Sequence, residues 1–510
     1  MARRPAGPSR WPWRLASALC GAVCVAAFAP WFLWPLAPLC VAALFLIWRR
    51  APIGRADAGF CFGMGLFTAG VHWIYISLHD HGDMPAALAA IALLGFAALN
   101  AGIPAAAGAL SGWAGRRGRC AVGVDLLLLM PASFALLEWV RSWLLTGFPW
   151  LSLGYSQIPA APLAGLAPLG GIWLCGLGVA LAAGAVAIAL LQRTMGPLLL
   201  LPLLWLPAWL TLHTHWTRPE GPPLTVSLLQ GNVAQSLKFE PQHIRQALGD
   251  YLAMADASRA RLIVMPESAL ALFRDELPDG YLERLRAIGA RNHGDVLAGL
   301  FDETAPGVFQ NTMISLGSSA PQAYRKHHLV PFGEFVPLKP LVKPVMDMVL
   351  DMPVGDQGAA PRGQPPMAVA GQQVGMDICY EDAFGDEIIE ALPKATLLVN
   401  VSDDAWFGSA VGPEQHLQIA QARALEGGRA MARATNTGVT ALIDADGRVL
   451  ARAPKSARVH LDGELQGRSG ATPYVRVGDL PAALLCLLLL AIGTLRSRRH
   501  RPWSGTRARS

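Results

Sequence analysis

Long apolar runs alternate with short charged clusters along much of this chain. A run must be about 20 residues long to cross the hydrocarbon core of a bilayer as a helix. Eight stretches reach or approach that length: residues 12–29, 31–48, 58–78, 84–112, 120–142, 162–192, 196–213 and 480–495. The pattern therefore predicts a multi-pass α-helical membrane bundle of eight transmembrane helices, of which seven precede residue 217.

Residues 218–475 follow a different pattern, in which short β-rich runs are separated by helical stretches. The predicted strands are 224–232, 261–268, 295–302, 311–317, 323–329, 372–381, 395–403 and 440–450. The predicted helices are 242–258, 278–291, 384–391 and 414–433. Strands that alternate with helices predict a layered α/β domain. We therefore expect three parts: a membrane domain at 1–217, the α/β domain at 218–475, and a last helix with a basic tail at 476–510.

The composition supports a membrane protein with one large water-exposed domain. Hydrophobic residues make up 53% of the 510 residues and charged residues only 15%, whereas soluble proteins carry about 25% charged residues. These values exclude a disordered chain, a collagen-like repeat and a small disulfide scaffold.

Arginine is distributed unevenly between the two ends of the apolar runs. Seventeen arginines lie at alternate ends: 3, 4, 10, 14, 49, 50, 55, 116, 117, 119, 193, 496, 498, 499, 501, 507 and 509. The short loops at the opposite ends hold only Arg141. The positive-inside rule then predicts cytoplasmic termini and an α/β domain outside the cytoplasm. A cleaved signal peptide at the N-terminus is the alternative, but its removal would put the arginine alternation out of step.

The net charge of +6 follows from this topology and does not indicate nucleic-acid binding. Seven of the eight cysteines lie in or beside the apolar runs, where they serve as small packing residues. Only Cys379 lies in the α/β domain, and a lone thiol in an oxidising compartment is either buried or kept for its reactivity.

Three polar residues of the α/β domain stand where the local pattern expects apolar ones: Glu267, Lys326 and Cys379. Each taken alone has an ordinary explanation, as a turn residue, a surface lysine or a core thiol. Together they form a set that thiol acyl transfer requires, because a thiolate attacks the carbonyl, a carboxylate moves protons and a cation stabilises the oxyanion. We therefore treat them as the candidate catalytic residues.

Several short motifs resemble known families. The segments PES (266–268), YRKHHLVPFGEF (324–335) and ICYED (378–382) resemble the carbon–nitrogen hydrolase, or nitrilase, superfamily. The eight predicted helices, with TGFPWLSLGYSQ (146–157), QGNVAQSLKF (230–239) and DAWFG (404–408), resemble the bacterial apolipoprotein N-acyltransferase family. This resemblance implies a nitrilase-like α-β-β-α sandwich in the periplasm and a multi-pass protein of the bacterial inner membrane.

The resemblance also implies a reaction and its residues. Cys379 would take an acyl chain from a membrane phospholipid, at sn-1 of phosphatidylethanolamine, and pass it to the α-amino group of a diacylglyceryl-modified N-terminal cysteine of an apolipoprotein. Glu267 would be the general base and acid, and Lys326 with the backbone N–H of Tyr380 would face the oxyanion. Glu334 would orient Lys326 or assist proton transfer, and the resemblance implies a supporting position for Glu381. It implies a monomer that needs no cofactor and no metal.

Two positions depart from the family pattern: Asp403 stands where relatives have Asn, and Phe239 stands where they often have Trp. Neither belongs to the catalytic set, so both bear on substrate contacts. Phe239 keeps an aromatic wall for substrate, and Trp406 is predicted either as a substrate-binding residue of the acyl pocket or as a core residue.

Two further features have alternative interpretations. The apolar residues of the 338–366 loop form either a lipid-facing lid or a loop packed on its own domain: Leu338, Leu341, Val345, Met346, Met348, Val349 and Leu350. Glu138 and Arg141 could pair on one helix. They would then support the active site or, as the pattern slightly favours, anchor the helix end at the interface.

Two other functions are open at this point. A membrane-tethered amidase of the same superfamily would resolve the thioester with water in place of an amine. A transporter with a non-catalytic outer domain would show more polar residues along its helices, and it would not need Glu267, Lys326 and Cys379 together.

Overall fold

The computed structural model describes residues 9–115, 120–337, 339–340 and 357–499. Every predicted apolar stretch contains a helix in it. The helices of the membrane part are α1 Trp11–Cys24, α2 Leu36–Arg50, α3 Arg55–Gly70, α4 Trp73–His79, α5 Ala86–Ala114, α6 Val122–Arg141, α7 Ala167–Gln192 and α8 Leu200–Leu212. The α/β region adds α9 Pro241–Ala257, α10 Tyr281–Arg291 and α11 Gly412–Gly427, and α12 Leu480–Arg499 closes the described chain.

Within the described residues, four helices are long and apolar enough to cross a membrane, namely α5, α6, α7 with its preceding turn, and α12. The pair α3 and α4 gives a fifth candidate span if it counts as one helix bent by 57°. The helices Trp11–Ala27 and Gly196–Leu212 are apolar but shorter. The chain is thus a multi-spanning membrane protein by helix length and composition, and the count of eight spans stays a prediction.

Fourteen strands in the described chain form two six-stranded sheets and a short two-stranded one. Their bounds are β1 Thr217–Pro219, β2 Leu224–Gln230, β3 Leu262–Val264, β4 Asp295–Ala305, β5 Val308–Gly317, β6 Ala323–Arg325, β7 Met367–Val369, β8 Gln372–Ile378, β9 Leu397–Ser402, β10 Met431–Thr435, β11 Ala441–Ile443, β12 Val449–Arg452, β13 Val459–Leu465 and β14 Arg468–Gly470. The first sheet has the order β13-β2-β3-β4-β5-β6 and the second β12-β11-β10-β9-β8-β7. Strands β2, β3 and β4 are parallel, as are β8, β9 and β10.

The two large sheets pack face to face, with helices on both outer faces. Leu228 and Val264 of the first sheet share a buried core with Val399 of the second. Helices α9 and α10 cover the outer face of the first sheet, and α11 covers that of the second. This is the α-β-β-α sandwich that the sequence predicts, so the layered α/β architecture is confirmed.

Two elements differ from the prediction. The predicted helix 414–433 ends at Gly427, and Met431–Thr435 is β10, which lies between β9 and β11. Gly428 takes a left-handed conformation at the helix end (φ +60°), a position that favours glycine. Residues 440–450, predicted as one strand, form the hairpin β11–β12, whose turn Gly447 also has positive φ. Strands β1, β7, β13 and β14 were missed as well, and three of them (β1, β7 and β14) are only three residues long.

The membrane part and the sandwich share one buried core, because α11 packs on the loop that joins α6 to α7. Gln415 Oε1 accepts a hydrogen bond from the indole N–H of Trp150 at 2.7 Å. Gln418 Nε2 donates to the carbonyls of Tyr155 and Ile158 at 2.9 and 3.0 Å. Gln418 thus satisfies two backbone carbonyls of the loop, and Gln415 one indole N–H, that would otherwise be buried without partners.

Arg141 and Glu138 hold the same loop from the membrane side. They lie 3.9 Å apart. Arg141 donates to the carbonyls of Phe148 and Trp150, and the N–H of Leu153 donates to Glu138 Oε1 at 3.1 Å. Arg141 is only 4% exposed, so the interpretation of this pair as an interfacial anchor is wrong. The pair supports the loop beneath the sandwich.

Candidate active site

The three candidate catalytic residues all follow strand ends. Cys379 is the first residue after β8, Lys326 is the first after β6, and Glu267 lies three residues beyond β3. β3 and β6 belong to the first sheet and β8 to the second, so the residues come from both layers of the sandwich. The packing of the two sheets brings these strand ends together.

Glu267 and Lys326 are in direct contact. Lys326 Nζ lies 3.0 Å from Glu267 Oε1 and 2.7 Å from Glu334 Oε1. Glu267 also accepts hydrogen bonds from Asn311 Nδ2 at 2.7 Å and from the backbone N–H of Asp403 at 2.9 Å. The Glu267 carboxylate is therefore held in a single orientation by three donors.

Burial and the two carboxylates govern the charge of Lys326. Burial alone would lower its pKa, but the charges of Glu267 and Glu334 outweigh burial and hold the pKa of Lys326 well above its ordinary value. Burial raises the pKa of Glu334, with Lys326 opposing and Glu267 adding to the rise. Lys326 is thus a permanent cation between two carboxyl groups.

The conformation and charge of Cys379 are both unusual. Its φ is +56°, a region that non-glycine residues rarely adopt, and the residue stays partly exposed. Burial of the thiol and the negative charge of Glu267 raise the pKa of Cys379 well above its ordinary value, while Lys326 opposes the rise. The resting thiol is therefore protonated near neutral pH, and a base must remove its proton before it can attack.

A buried charge network lies behind the Cys379 turn, and the sequence did not reveal it. His416 Nε2 lies 3.3 Å from the carbonyl oxygen of Cys379 and 3.0 Å from Asp382 Oδ1, and its Nδ1 lies 2.8 Å from Asp404 Oδ1. Burial and Arg433 lower the pKa of His416, but Asp382 and Asp404 outweigh them and raise it to about 9. The signal that could have found this network is Arg433, a charged residue within an otherwise apolar strand.

Arg433 completes the network from β10. Its guanidinium lies 3.0 Å from Asp404 Oδ2 and 3.3 Å from Asp382 Oδ2, and it also donates to the side-chain oxygen of Asn400. Two cations therefore face two aspartates in a fully buried cluster that ends at the backbone of Cys379.

Tyr380 and Glu381 stabilise the loops around the site. The hydroxyl of Tyr380 donates to the carbonyl of Gly147 in the membrane-side loop at 2.9 Å. Glu381 accepts hydrogen bonds from the backbone N–H groups of Ile378 and His327, both at 2.7 Å. Glu381 thus joins the strand before Cys379 to the residue after Lys326.

The two predicted substrate-binding residues are exposed. Phe239 is 57% exposed and Trp406 is 42% exposed, so the alternative that Trp406 is a core residue is wrong. The carbonyl of Trp406 accepts a hydrogen bond from Ser77 of α4 at 2.7 Å, and its ring stands edge-on to His81. Trp406 is therefore fixed against the membrane part while its side chain stays partly exposed.

The predicted lid falls on residue 338 and residues 341–356, which lie outside the described residues. The chain that follows it is tied to the site, because Gln357 N–H donates to the carbonyl of Glu334 at 2.9 Å and Ala360 N–H to that of Lys326 at 3.0 Å. Within the described chain, no group of three or more His, Cys, Asp or Glu side chains could hold a metal ion.

Two family models match the chain, one for each part. Residues 20–185 match the apolipoprotein N-acyltransferase N-terminal domain, and residues 225–474 match the carbon-nitrogen hydrolase family. An apolipoprotein N-acyltransferase of Nitrosomonas europaea is 47% identical over 476 residues, which covers 92% of this chain and 95% of that protein. One of Chromobacterium violaceum is 43% identical and covers 96% and 94%.

Among solved structures, the C. elegans NitFhit protein matches with a TM-score of 0.38 and 16% identity, over 55% of this chain and 65% of that one.

Proposed function

The chain belongs to the apolipoprotein N-acyltransferase family, and on this premise we propose that it transfers a fatty acyl chain from a membrane phospholipid to apolipoproteins. The acceptor is the free α-amino group of the diacylglyceryl-modified N-terminal cysteine, and the donor ester is at sn-1 of phosphatidylethanolamine. The observations that carry the proposal are the 3.0 Å contact between Lys326 and Glu267 and the hydrogen bonds of Glu381 to the residue before Cys379 and the residue after Lys326.

In the first half-reaction, Glu267 takes the proton from the Cys379 thiol, and the thiolate sulfur attacks the ester carbonyl carbon of the phospholipid. An S–C bond forms and the carbonyl oxygen becomes an oxyanion. The intermediate collapses with cleavage of the C–O ester bond, and the leaving alkoxide takes the proton from Glu267. The products are a thioester on Cys379 and a lysophospholipid.

In the second half-reaction, the α-amine of the lipoprotein attacks the thioester carbon. An N–C bond forms and the S–C bond breaks, while one amine proton passes through Glu267 to the sulfur of Cys379. An amide results and the thiol is regenerated. Water must be kept from this thioester, because hydrolysis would waste the acyl group.

Lys326 stabilises the oxyanion of both steps, together with the backbone N–H of Tyr380. The support for this role is that Lys326 is a buried cation whose pKa is held high by its two carboxylate neighbours. Removing one such donor typically costs about 100-fold or more in rate. Glu334 holds Lys326 in place through the 2.7 Å contact, and Glu381 supports the loops that carry Lys326 and Cys379.

Phe239 and Trp406 bind the acyl chains. Their exposure and the contact of Trp406 with α4 support this role, since a donor lipid must enter from the bilayer surface.

The catalytic domain, residues 218–475, faces the periplasm, and both termini lie in the cytoplasm. Eight helices, including the bent pair α3 and α4 as one span, hold the protein in the inner membrane. The arginine distribution supports this orientation.

The test is to trap the acyl-enzyme. The purified protein is mixed with phosphatidylethanolamine labelled in the sn-1 chain, without an amine acceptor, beside the Cys379→Ala variant. The proposal requires a hydroxylamine-sensitive label on the unmodified protein alone, discharged by a diacylglyceryl-cysteine peptide and not by water. Rapid discharge by water would instead identify an amidase, and the absence of label on folded protein would overturn the thioester mechanism.

A further inference from the structure

A buried ion pair lies beside Glu267, outside the residues to which the reaction is assigned. Lys238 directs its ammonium group at Asp403 Oδ2 and donates a second hydrogen bond to Ser268 Oγ at 2.7 Å. All three residues are buried.

The pair contacts the immediate surroundings of Glu267 on two sides. The backbone N–H of Asp403 donates to Glu267 Oε2 at 2.9 Å. Ser268, which directly follows Glu267, has a φ of +45°, a left-handed conformation that is strained for serine. Its hydroxyl is held by Lys238. Lys238 therefore stabilises both the turn that carries Glu267 and the residue whose N–H orients its carboxylate.

The same aspartate also fixes the segment that carries Phe239. Asn436, the first residue after β10, donates to Asp403 Oδ1 at 3.0 Å. It exchanges two hydrogen bonds with the backbone of Val233, at 2.9 and 2.8 Å. Residues 231–239 are thus tied to Asp403 through Asn436 near one end and through Lys238 at the other.

We propose that Lys238 and Asp403 form a positioning pair for Glu267, which orients this carboxylate and keeps the charge beside it balanced. The inference rests on the proposed function, in which Glu267 moves the protons. Removal of either charge leaves the other buried without compensation, a change that costs far more than the loss of an exposed pair. The balance between the two charges, and not either one alone, is what the site requires.

The charges around Glu267 come from several elements. Lys326 and Glu334 face it from the loop after β6, Cys379 from the end of β8, and Tyr251 of α9 lines the small cavity that Glu267 shares with Lys238: these groups are unchanged in the variants below. The variants therefore alter only the charge of the pair.

The two single variants shift this balance in opposite directions. Lys238→Met leaves Asp403 as an unpaired anion, which disfavours a charged carboxylate nearby. The acid limb of the pH–rate profile for thioester formation therefore moves to higher pH. Asp403→Asn leaves an unpaired cation that favours a charged carboxylate, so the acid limb moves to lower pH. Each shift is about one pH unit. The double variant removes both charges and returns the limb to its original position.

The experiment measures the single-turnover rate of thioester formation on Cys379 with labelled phospholipid in detergent micelles, between about pH 5 and about pH 9. It compares the unmodified protein, Lys238→Met, Asp403→Asn and the double variant. The matched control is the exposed ion pair of Arg291 and Asp256, 2.7 Å apart on the same domain. Arg291→Met and Asp256→Asn are expected to leave the acid limb in place.

Opposite shifts in the single variants, with recovery in the double variant, support the positioning pair. Shifts of the same sign, or no shift in Asp403→Asn, overturn it. If Lys238→Met fails to fold, Asp403→Asn and the double variant still decide the question. These two variants differ only in the positive charge at residue 238, so the acid limb should lie at lower pH in Asp403→Asn than in the double variant. Failure of the unmodified protein to form any thioester would overturn the proposed function itself. Failure of the positioning pair is a different outcome, because the thioester then still forms and only the expected shifts are missing.

Discussion

The carbonyl oxygen of Cys379 lies 3.3 Å from Nε2 of His416, which ties the turn of the nucleophile to a helix that also contacts the membrane part. His416 is followed two residues later by Gln418 and preceded by Gln415, and both amides bind the membrane-side loop. Helix α11 therefore joins the nucleophile turn to the membrane part. The position of Cys379 depends on how the two parts pack.

Substitution of His416 should slow thioester formation while the protein stays folded. His416→Gln keeps a polar side chain but cannot hold a charge between Asp382 and Asp404, so the strained Cys379 turn loses a fixed partner. We expect the rate constant for thioester formation to fall by about 10- to 100-fold, with little change in the apparent affinity for phospholipid. His243→Gln, at a partly exposed position of α9, is the control. An unchanged rate would show that His416 only fills space.

Alkaline pH should destabilise the protein. The pKa of His416 is raised to about 9 and that of His327 to about 10, both from an ordinary value of 6.5. A histidine whose pKa rises on folding gives stability that is fully present below about pH 6.5 and lost as the pH rises through the folded value.

The measurement is the thermal unfolding temperature in detergent from neutral to strongly alkaline pH. It should fall above neutral pH, and the fall should be smaller in His416→Gln. A constant unfolding temperature across this range would contradict the charged state assigned to these histidines.

The reactivity of the Cys379 thiol should report the charges beside it. The negative charge of Glu267 raises the pKa of Cys379 and Lys326 lowers it. Glu267→Gln should therefore speed alkylation by iodoacetamide near neutral pH, and Lys326→Met should slow it, each by several-fold. Cys379→Ala gives the background from the other cysteines. Changes in the reverse order would show that the two side chains do not act on the thiol.

Glu334→Gln should impair catalysis more than stability. The amide can still bind Lys326, but it removes one of the two negative charges that hold the pKa of Lys326 high. We expect a loss of about 10- to 100-fold in acyl transfer with a nearly unchanged unfolding temperature. Glu303→Gln, on the exposed end of β4, serves as the control. Full activity in Glu334→Gln would limit its role to loop packing.

Loss of Arg141 should destabilise the contact between the two parts. Arg141→Met leaves Glu138 buried without its cation and the carbonyls of Phe148 and Trp150 without a donor, a change expected to cost about 3–5 kcal/mol. The double variant with Glu138→Gln should recover part of this loss. Arg193→Met, at the exposed end of α7, is the control. Thermal unfolding in detergent measures all three, and equal unfolding temperatures would mean that the loop is held by other contacts.

Much of the molecule follows from local pattern alone. Apolar runs near the length of a bilayer predict the helices, and alternating strands and helices predict the α/β domain. Both patterns are local, because the residue types within one helix or strand reflect which of its sides faces lipid, the core or water. The boundary errors occur where a local signal is weak. Strand β10 contains the buried Arg433, whose charge is balanced by Asp382 and Asp404, residues that are far away in the sequence.

The sequence by itself determined the class of protein, and it predicts Glu267, Lys326 and Cys379 as the catalytic set because the chemistry of acyl transfer limits which side chains can serve. Only the tertiary structure decided how they are held. The two sheets bring strand ends from distant parts of the chain to one edge, and partners such as Lys238 with Asp403 and His416 with Cys379 meet only there. Buried charges need partners, and their choice of partner depends on packing in three dimensions, which no local sequence pattern encodes.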